Sequence, residues 1–443
     1  MASRTQTAEA ATAFRLYQSL NRAPAALAIA LLGLFPRIAF LFAIRQQPLL
    51  SDAAGYTRMA TLLVHHQAFI PFWPPGTPLY LAWIHQLFGD SVPVMRAAML
   101  PFYLGLCVVL YGFTRELTGS RCAGAISLIP LALAPAMVFF SVEPTTELPS
   151  AFFLTLAALA FLRLTRAFSL SPLLLLSVAL GSLALLRPAS LIFLAAVPLY
   201  LLANGKGIVR SFAPVLIPLI MVFAWILRVQ QTTGRIIWIN TANAKNLYIG
   251  NNPNTPIYRT WWLGSHHALE DAALPVHPSD PVELEREYSL VAKNYILAHP
   301  ALFVLRTFNR VCVFFAPDTF PGAYLTESYG FPRLLGLFVI AVDGLVFAAV
   351  ALSSSLFFFT RSRERGLLLG IVILYAAPYF IAFSHPRYHF PIEPLLYAAA
   401  AAFLAHPVSN LARLPRRKAS IVATAAIFLL IQVEFLVVVA RAR

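Results

Sequence analysis

The chain has 443 residues, of which 59% are hydrophobic and only 12% charged, with a mean hydropathy of +0.73. A soluble domain carries roughly 25% charged residues, so this composition excludes an ordinary water-soluble fold. The net charge is +15, from 33 Lys and Arg against 18 Asp and Glu, but no basic stripe interleaved with aromatics appears, which excludes nucleic acid as a partner.

Apolar runs of about 18 or more residues recur, each long enough to cross ~30 Å of hydrocarbon. They predict an all-α polytopic membrane protein with about 11 transmembrane helices, at 24–45, 93–115, 121–141, 147–164, 170–186, 189–204, 211–230, 332–359, 366–383, 390–405 and 420–440. The first of these follows a basic N-terminus. It is too long for a signal-peptide core and lacks a clear small-residue cleavage site, so it reads as an uncleaved anchor. With these crossings the clusters Arg4/Arg15/Arg22, Arg115/Arg121, Arg163/Arg166, Lys206/Arg210, Arg361/Arg363/Arg365 and Arg413/Arg416/Arg417/Lys418 all fall on one side. The positive-inside rule makes that side cytoplasmic, with the N-terminus inside and the C-terminus outside. A further crossing over 301–316 would move the 361–365 cluster out. That run, with Arg306 and Arg310 among apolar residues, is therefore expected to be re-entrant or interfacial.

Two long connections fall on the outer side, 46–92 and 231–331, and form the expected active-site face. The second contains the turn sequence Gly250-Asn251-Asn252-Pro253 and a charged helical run near Val282–Ala298. No repeat or disordered linker divides the chain, so residues 1–443 are read as one integral membrane domain. Cys107, Cys122 and Cys312 lie in apolar segments without metal-ligand spacing. His65-His66 and His266-His267 are adjacent pairs whose rings diverge on a helix. Without a third ligand they read as surface or headgroup residues, and no metal site is predicted.

Asp52, in Leu50-Ser51-Asp52-Ala53-Ala54-Gly55-Tyr56, follows directly on the first apolar run. A carboxylate at that depth is desolvated on one side and wet on the other, which raises its pKa toward that of a working general base. A solvated flank or a helix N-cap is the plainer alternative. Glu143 and Glu147 are four apart at the outer start of the fourth helix and share a face if that helix begins early enough. Ionisable groups at membrane depth are costly and usually functional, although Glu143 alone would also suit the helix dipole as a cap. An anionic ligand at the outer face needs fixed positive charge. His385-Pro386-Arg387-Tyr388-His389, in a short outer connection, offers Arg387 for planar phosphate contact, flanked by His385 and His389. A headgroup anchor is the alternative for that arginine. Arg187, beside Pro188, is a second phosphate candidate or a snorkelling side chain, and Lys245 a weaker one.

The ordered set is more specific than any piece of it. Asp52 is followed by Pro74-Pro75-Gly76-x-Pro78-Leu79-Tyr80 and by Leu87-Phe88-Gly89-Asp90 with Arg96 beyond. Leu131-Ala-Leu-Ala-Pro135, Glu143-Pro-Thr-Thr-Glu147, Leu185-Leu-Arg187-Pro188, Asn246-Leu-Tyr-Ile-Gly-Asn-Asn-Pro253 and Arg387-Tyr388-x-x-Pro391-x-x-Pro394 come after. The order resembles the polyprenyl-phosphate-sugar-dependent membrane glycosyltransferases of the GT-C class, close to the protein O-mannosyltransferase and aminoarabinose-transferase superfamily. It is densest over 46–165. The resemblance implies a GT-C-like bundle with interfacial outer helices, and transfer of one sugar from an isoprenoid phosphate to a glycan, lipid or protein acceptor, usually with inversion. It places the presumed base at Asp52. Many members have two acidic residues there, whereas this chain has Asp52-Ala53. A second acidic position falls on Glu147, which is read as catalytic with Asp52 and could orient the acceptor, with Glu143 as its neighbour. Tyr56, Glu143, Arg187, Lys245, His385, Arg387 and His389 complete the candidate substrate contacts. No cofactor is required, although Glu147 could hold a divalent cation. A flippase of lipid-linked sugars, or a polysaccharide polymerase or ligase, is the alternative. A flippase usually shows related halves and mid-membrane polar residues, and here the polar residues gather at one face.

Overall fold

The computed structural model describes residues 23–255, 274, 278–360, 363–412 and 414–441. Arg4, Arg15, Arg22, His266, His267, Arg361 and Arg413 lie outside the described residues. Within them every regular element is helical, and each of the eleven segments expected to cross overlaps helix, although 121–141 is broken at Ala134 and 390–405 begins in a 3-10 turn. Six are long and apolar enough to span a membrane: Pro24–Ile44, Val92–Thr118, Glu147–Arg166, Ile208–Thr233, Arg333–Phe359 and Glu364–Ile381. Arg121–Leu133, Leu170–Leu186 and Pro188–Ala203 are shorter apolar helices among them. The chain is an all-helical integral membrane protein.

The centre of the bundle is the Glu393–Leu404 helix. Its run Ala398-Ala399-Ala400-Ala401 is almost wholly buried. Small side chains let neighbouring backbones approach closely where water supplies no driving force. The helix packs against Arg333–Phe359, Arg121–Leu133 and Leu100–Thr118.

Proline breaks a neighbouring helix, and buried charge repairs the break. Pro135 has no N–H for the Leu131 carbonyl, so the Arg121–Leu133 helix ends there. Arg37, fully buried in the first helix, donates to Leu131 O at 2.7 Å and Ala132 O at 3.1 Å. The Ala136 N–H, lost to the same break, goes to Asp343 Oδ1 at 2.9 Å. In a membrane interior such groups must find partners within the protein.

The two ends of the bundle differ. Helix Glu147–Arg166 starts beside Asp52 and Arg387 and ends some twenty residues on, about 30 Å away. There Arg163 pairs with Glu116, and Arg166 lies 3.7 Å from Glu364. The 115–121 and 163–169 connections and Glu364 therefore share the end remote from Asp52, as the basic residues of the two connections predict.

The 300–314 segment is one arm of a sharply bent helix pair. It meets Pro281–Ala298 at 108°. Arg306 on it donates to Asn252 O, and Arg310 to Ile381 O and Asn251 Oδ1, all at the Asp52 end. Both are buried, and they satisfy backbone carbonyls of the Gly250–Thr255 turn and of the Arg363–Ile381 helix C-terminus, where the dipole favours cations. Gly250 sits where a Cβ would run into the Ala382 carbonyl oxygen. We expect Gly250→Ala to lower the thermal unfolding midpoint in detergent by several degrees, whereas Gly366→Ala, with open space around it, leaves the midpoint unchanged or raises it.

Candidate active site

Asp52 lies in the first turn of the Ser51–Val64 helix, which buries Ala53, Tyr56, Met59, Ala60 and Leu63 at helical spacing. The cap position is Leu50, and no side chain caps this helix, so Asp52 is not an N-cap. Ser51, just before it, adopts φ 51°, a left-handed conformation that costs a non-glycine residue about 1 kcal/mol or more. The Asp52 carboxylate is reached from two sides. Arg387 Nη2 donates to Oδ2 at 2.6 Å, and the Trp73 indole N–H donates to Oδ1 at 3.3 Å. Gly55 makes the second contact possible, because a Cβ there would collide with the Trp73 ring.

Arg387 comes from the Pro386–Ile392 3-10 turn. Its Nε is 3.8 Å from Glu147 Oε1, and the same oxygen accepts from Arg187 Nη2 at 2.8 Å. Arg187 also reaches the Tyr379 hydroxyl at 3.4 Å and lies over the Tyr388 ring, 5.7 Å from its centroid. The result is one chain of charge, Asp52–Arg387–Glu147–Arg187, assembled from four separate segments. Asp52 and Arg387 keep 28% and 18% of their side-chain surface, while Glu147 keeps 3%, so the first pair faces outward over a buried foundation.

Burial alone would push the Asp52 carboxyl up, as its position in the sequence suggests. The Arg387 guanidinium, helped by Trp73, outweighs burial and holds it below its ordinary range. The expectation of a raised pKa is thus reversed in this structure.

Glu143 does not share a face with Glu147, because the helix begins only at Glu147, with Thr146 at the cap position. Nor is Glu143 a cap. It forms a buried ion pair with Arg96 and accepts from the Tyr329 hydroxyl at 2.5 Å. Arg96 also donates to the Gln47 and Pro48 carbonyls, each at 3.3 Å, which fixes the segment leading into Asp52. Removing one member of such a buried pair costs about 3–5 kcal/mol. A narrow cleft lies between the two acidic groups. Glu143, Thr145, Asp52 and Arg387 line it with the rings of Phe139, Phe140, Phe320 and Tyr324.

The remaining candidates divide. Tyr56 is buried beside Trp73, ring centroids 6.0 Å apart, and is close to the group. Lys245 is not brought to it; its amine rests over the Phe72 ring at 5.7 Å. His385 Nδ1 accepts from the Arg387 backbone N–H at 3.1 Å, so this ring shapes the turn. His389 is a correction to the expected phosphate contact. Its Nδ1 meets the Phe314 carbonyl at 2.6 Å and its Nε2 meets Glu393 at 3.2 Å. Both nitrogens are occupied on the side of the turn away from Asp52, and the ring stacks on Phe347. Trp73, Arg96, Tyr329 and Tyr379 were not singled out as site residues. A buried arginine in an apolar run is the signal that finds Arg96. Of the histidine pair 65–66, both are exposed. Among the described residues no three His, Cys, Asp or Glu gather as a metal site.

A second acidic group lies beneath the turn. Asp318 accepts from the Phe320 N–H at 3.0 Å. Burial pushes its carboxyl up to about 6 despite that bond and the nearby His389 and Arg387, with Glu393 pushing the same way as burial.

These features define an all-helical membrane protein with paired carboxylates and guanidiniums at one end of its bundle. Residues 73–229 match the family model described as dolichyl-phosphate-mannose-protein mannosyltransferase. That stretch carries Trp73, Arg96, Glu143, Glu147 and Arg187, while Asp52 and Arg387 lie outside it. Among solved structures the chain is similar to the crystal structure of the Archaeoglobus fulgidus oligosaccharyltransferase complex with zinc and sulfate. The identity is 14% and the TM-score 0.47, over 90% of this chain and 52% of that one, so this chain spans about half that protein's length. No curated protein matches the chain. The similarity in sequence is to membrane glycosyltransferases of the GT-C class.

The Asp318 geometry predicts a pH effect. A raised carboxyl pKa stabilises the fold below the ordinary value of 3.8, and that contribution is lost as pH rises through about 6. Asp318→Asn keeps an acceptor for Phe320 without the charge. Its unfolding midpoint should exceed that of the wild type at pH 7 by a few degrees, on the order of 3 kcal/mol, and come close to it near pH 4. Thermal scans across that range check this.

Proposed function

We propose that the chain transfers a sugar from a polyprenyl-phosphate carrier to an acceptor at the outer membrane face, with inversion and with Asp52 as general base. The single observation that carries this reading is the 2.6 Å contact between Asp52 and Arg387, a base and an anion binder side by side at the open edge of the bundle. In the reaction the acceptor hydroxyl loses its proton to Asp52 while its oxygen forms a bond to the anomeric carbon. The bond from that carbon to the phosphate oxygen breaks, and its electron pair leaves on the polyprenyl phosphate. Arg387 meets the charge that develops there, with Arg187 behind it. Glu147 holds both guanidiniums in place and acts as a positioning residue.

The paired state gives the donor a second task. A carboxylate held by a guanidinium is a weak base. The donor's phosphodiester, by taking Arg387 for itself, frees Asp52 only when the donor is bound, so the base is unmasked as the leaving group arrives. A lipid donor also needs an apolar berth. A cleft between Glu147–Arg166, Leu170–Leu186, Ile192–Ala203 and Arg363–Ile381 is lined by Leu154, Phe161, Leu180, Phe193 and Leu374. Leu374 precedes Tyr375, whose hydroxyl is 3.4 Å from that of Tyr379 in the charged group. The basic clusters at the opposite end support a cytoplasmic side there.

Asp52→Asn should lower transfer from a polyprenyl-phosphate sugar by at least about a hundredfold, with carrier lipid still bound and the midpoint of unfolding within a few degrees of wild type. Full activity in that variant would remove Asp52 as the base. Arg387→Met should weaken binding of polyprenyl phosphate itself by about tenfold or more, measured with the lipid in nanodiscs. A pyrophosphate-linked oligosaccharide consumed in preference to the monophosphate would instead indicate a polymerase or ligase.

A further inference from the structure

The cleft beside Asp52 holds two buried polar atoms that the mechanism above does not use. Glu143 spends Oε1 on both Arg96 and Tyr329, while its Oε2 has no partner among the described residues. Thr145 Oγ1, two residues on, likewise has none. Both residues are more than nine-tenths buried, at 2% and 6% exposure, and both line the cleft with Asp52 and Arg387. Buried oxygens without partners are rare in native proteins, and each calls for a ligand or water.

The walls say which ligand. Phe140 and Phe320 face each other nearly parallel, at 6.3 Å and 5°, and Phe139 meets Tyr324 edge-on at 5.5 Å. Aromatic walls with acceptors at the bottom suit a molecule with C–H faces and hydroxyl edges. The cleft is narrow, so an edge of a ring enters it rather than the whole ring. Glu143 excludes anions from that edge. Arg96 is not among the residues that line the cleft, and the lining guanidinium, Arg387, lies beside Asp52, so Glu143 sets the charge at the bottom.

We infer that Glu143 Oε2 and Thr145 Oγ1 form a saccharide subsite that accepts hydroxyl groups from the edge of a neutral sugar ring and rejects uronic acids. The inference deepens the transferase reading by naming the class of sugar, and it rests on that reading for the phosphate carrier. The ring belongs either to the donor or to the acceptor, and the two sources separate by experiment.

Full-length protein in nanodiscs is titrated with three probes. One is polyprenyl phosphate without sugar. The second is a panel of polyprenyl-phosphate glucose, mannose, galactose and glucuronic acid. The third is the set of corresponding methyl glycosides. Thr145→Val, nearly isosteric and uncharged, is expected to weaken the best neutral lipid-linked sugar about tenfold and leave polyprenyl phosphate alone unchanged. Loss confined to the methyl glycosides instead assigns the edge to the acceptor. The glucuronic acid forms should bind wild type at least tenfold more weakly than their neutral counterparts, a gap that Glu143→Gln narrows if that variant folds. An unchanged affinity for every sugar probe in Thr145→Val, or an equal loss for bare polyprenyl phosphate, overturns the subsite. Wild-type protein that binds neutral methyl glycosides but no polyprenyl phosphate would sink the transferase reading and spare the subsite.

Discussion

Charge inside an apolar bundle has to be matched, and the match between Asp52 and Arg387 ties together residues 335 positions apart in the chain. Desolvating two ions is expensive, and only close, well-satisfied geometry offsets it. Here the pair does not stand alone. Glu147 and Arg187 continue it inward, and Glu143 with Arg96 forms a parallel pair a few side chains away. Three carboxylates face three guanidiniums, so the formal charge of the group is zero. An added phosphate therefore disturbs a balanced array, and it can be accommodated only by taking a guanidinium from a carboxylate. That constraint ties anion binding at this group to the release of a carboxylate from its guanidinium.

The same rule explains why the end of the bundle around Asp52 is irregular while its helices remain buried. Each break in a helix strands backbone groups that water cannot reach. Arg37 answers the break at Pro135 from one side and Asp343 from the other. Arg310 answers the end of the Arg363–Ile381 helix and the turn at Gly250 together. These charged residues resemble functional ones in sequence, because both are ionisable groups in apolar runs. They differ in their partners. Arg37 and Arg310 bond chiefly to carbonyls of the main chain, whereas Arg387 and Arg187 bond to carboxylates near an opening. The kind of acceptor separates scaffold from site.

That distinction marks what could be read from the sequence. The helices were legible because an apolar run of about 20 residues has few other uses. Asp52 and Arg387 were legible as residues placed at helix ends, and their meeting was not, since nothing in spacing brings position 52 to position 387. The direction of the Asp52 pKa followed from that meeting and so was misjudged from depth alone. Glu143 and Glu147 look equivalent at four residues apart. A helix start at Glu147 sends one to Arg96 and the other to Arg187. His389 sits two residues from Arg387, and in a 3-10 turn that spacing turns it toward Glu393 instead of Asp52.

The separation of the two glutamates has a chemical consequence. Glu147 is committed to two arginines and can neither accept a substrate proton nor reach a ring hydroxyl without releasing them. Glu143 is committed through one oxygen only, and the other remains at the cleft. Asp52 stands between these cases, bound by a guanidinium that an incoming phosphate can claim. Three carboxylates within one group thus have three different capacities, set by how many of their oxygens are already taken. In the proposed reaction a lone acidic residue at position 52 is then sufficient for proton removal, because holding the guanidiniums and meeting the sugar are assigned to the other two.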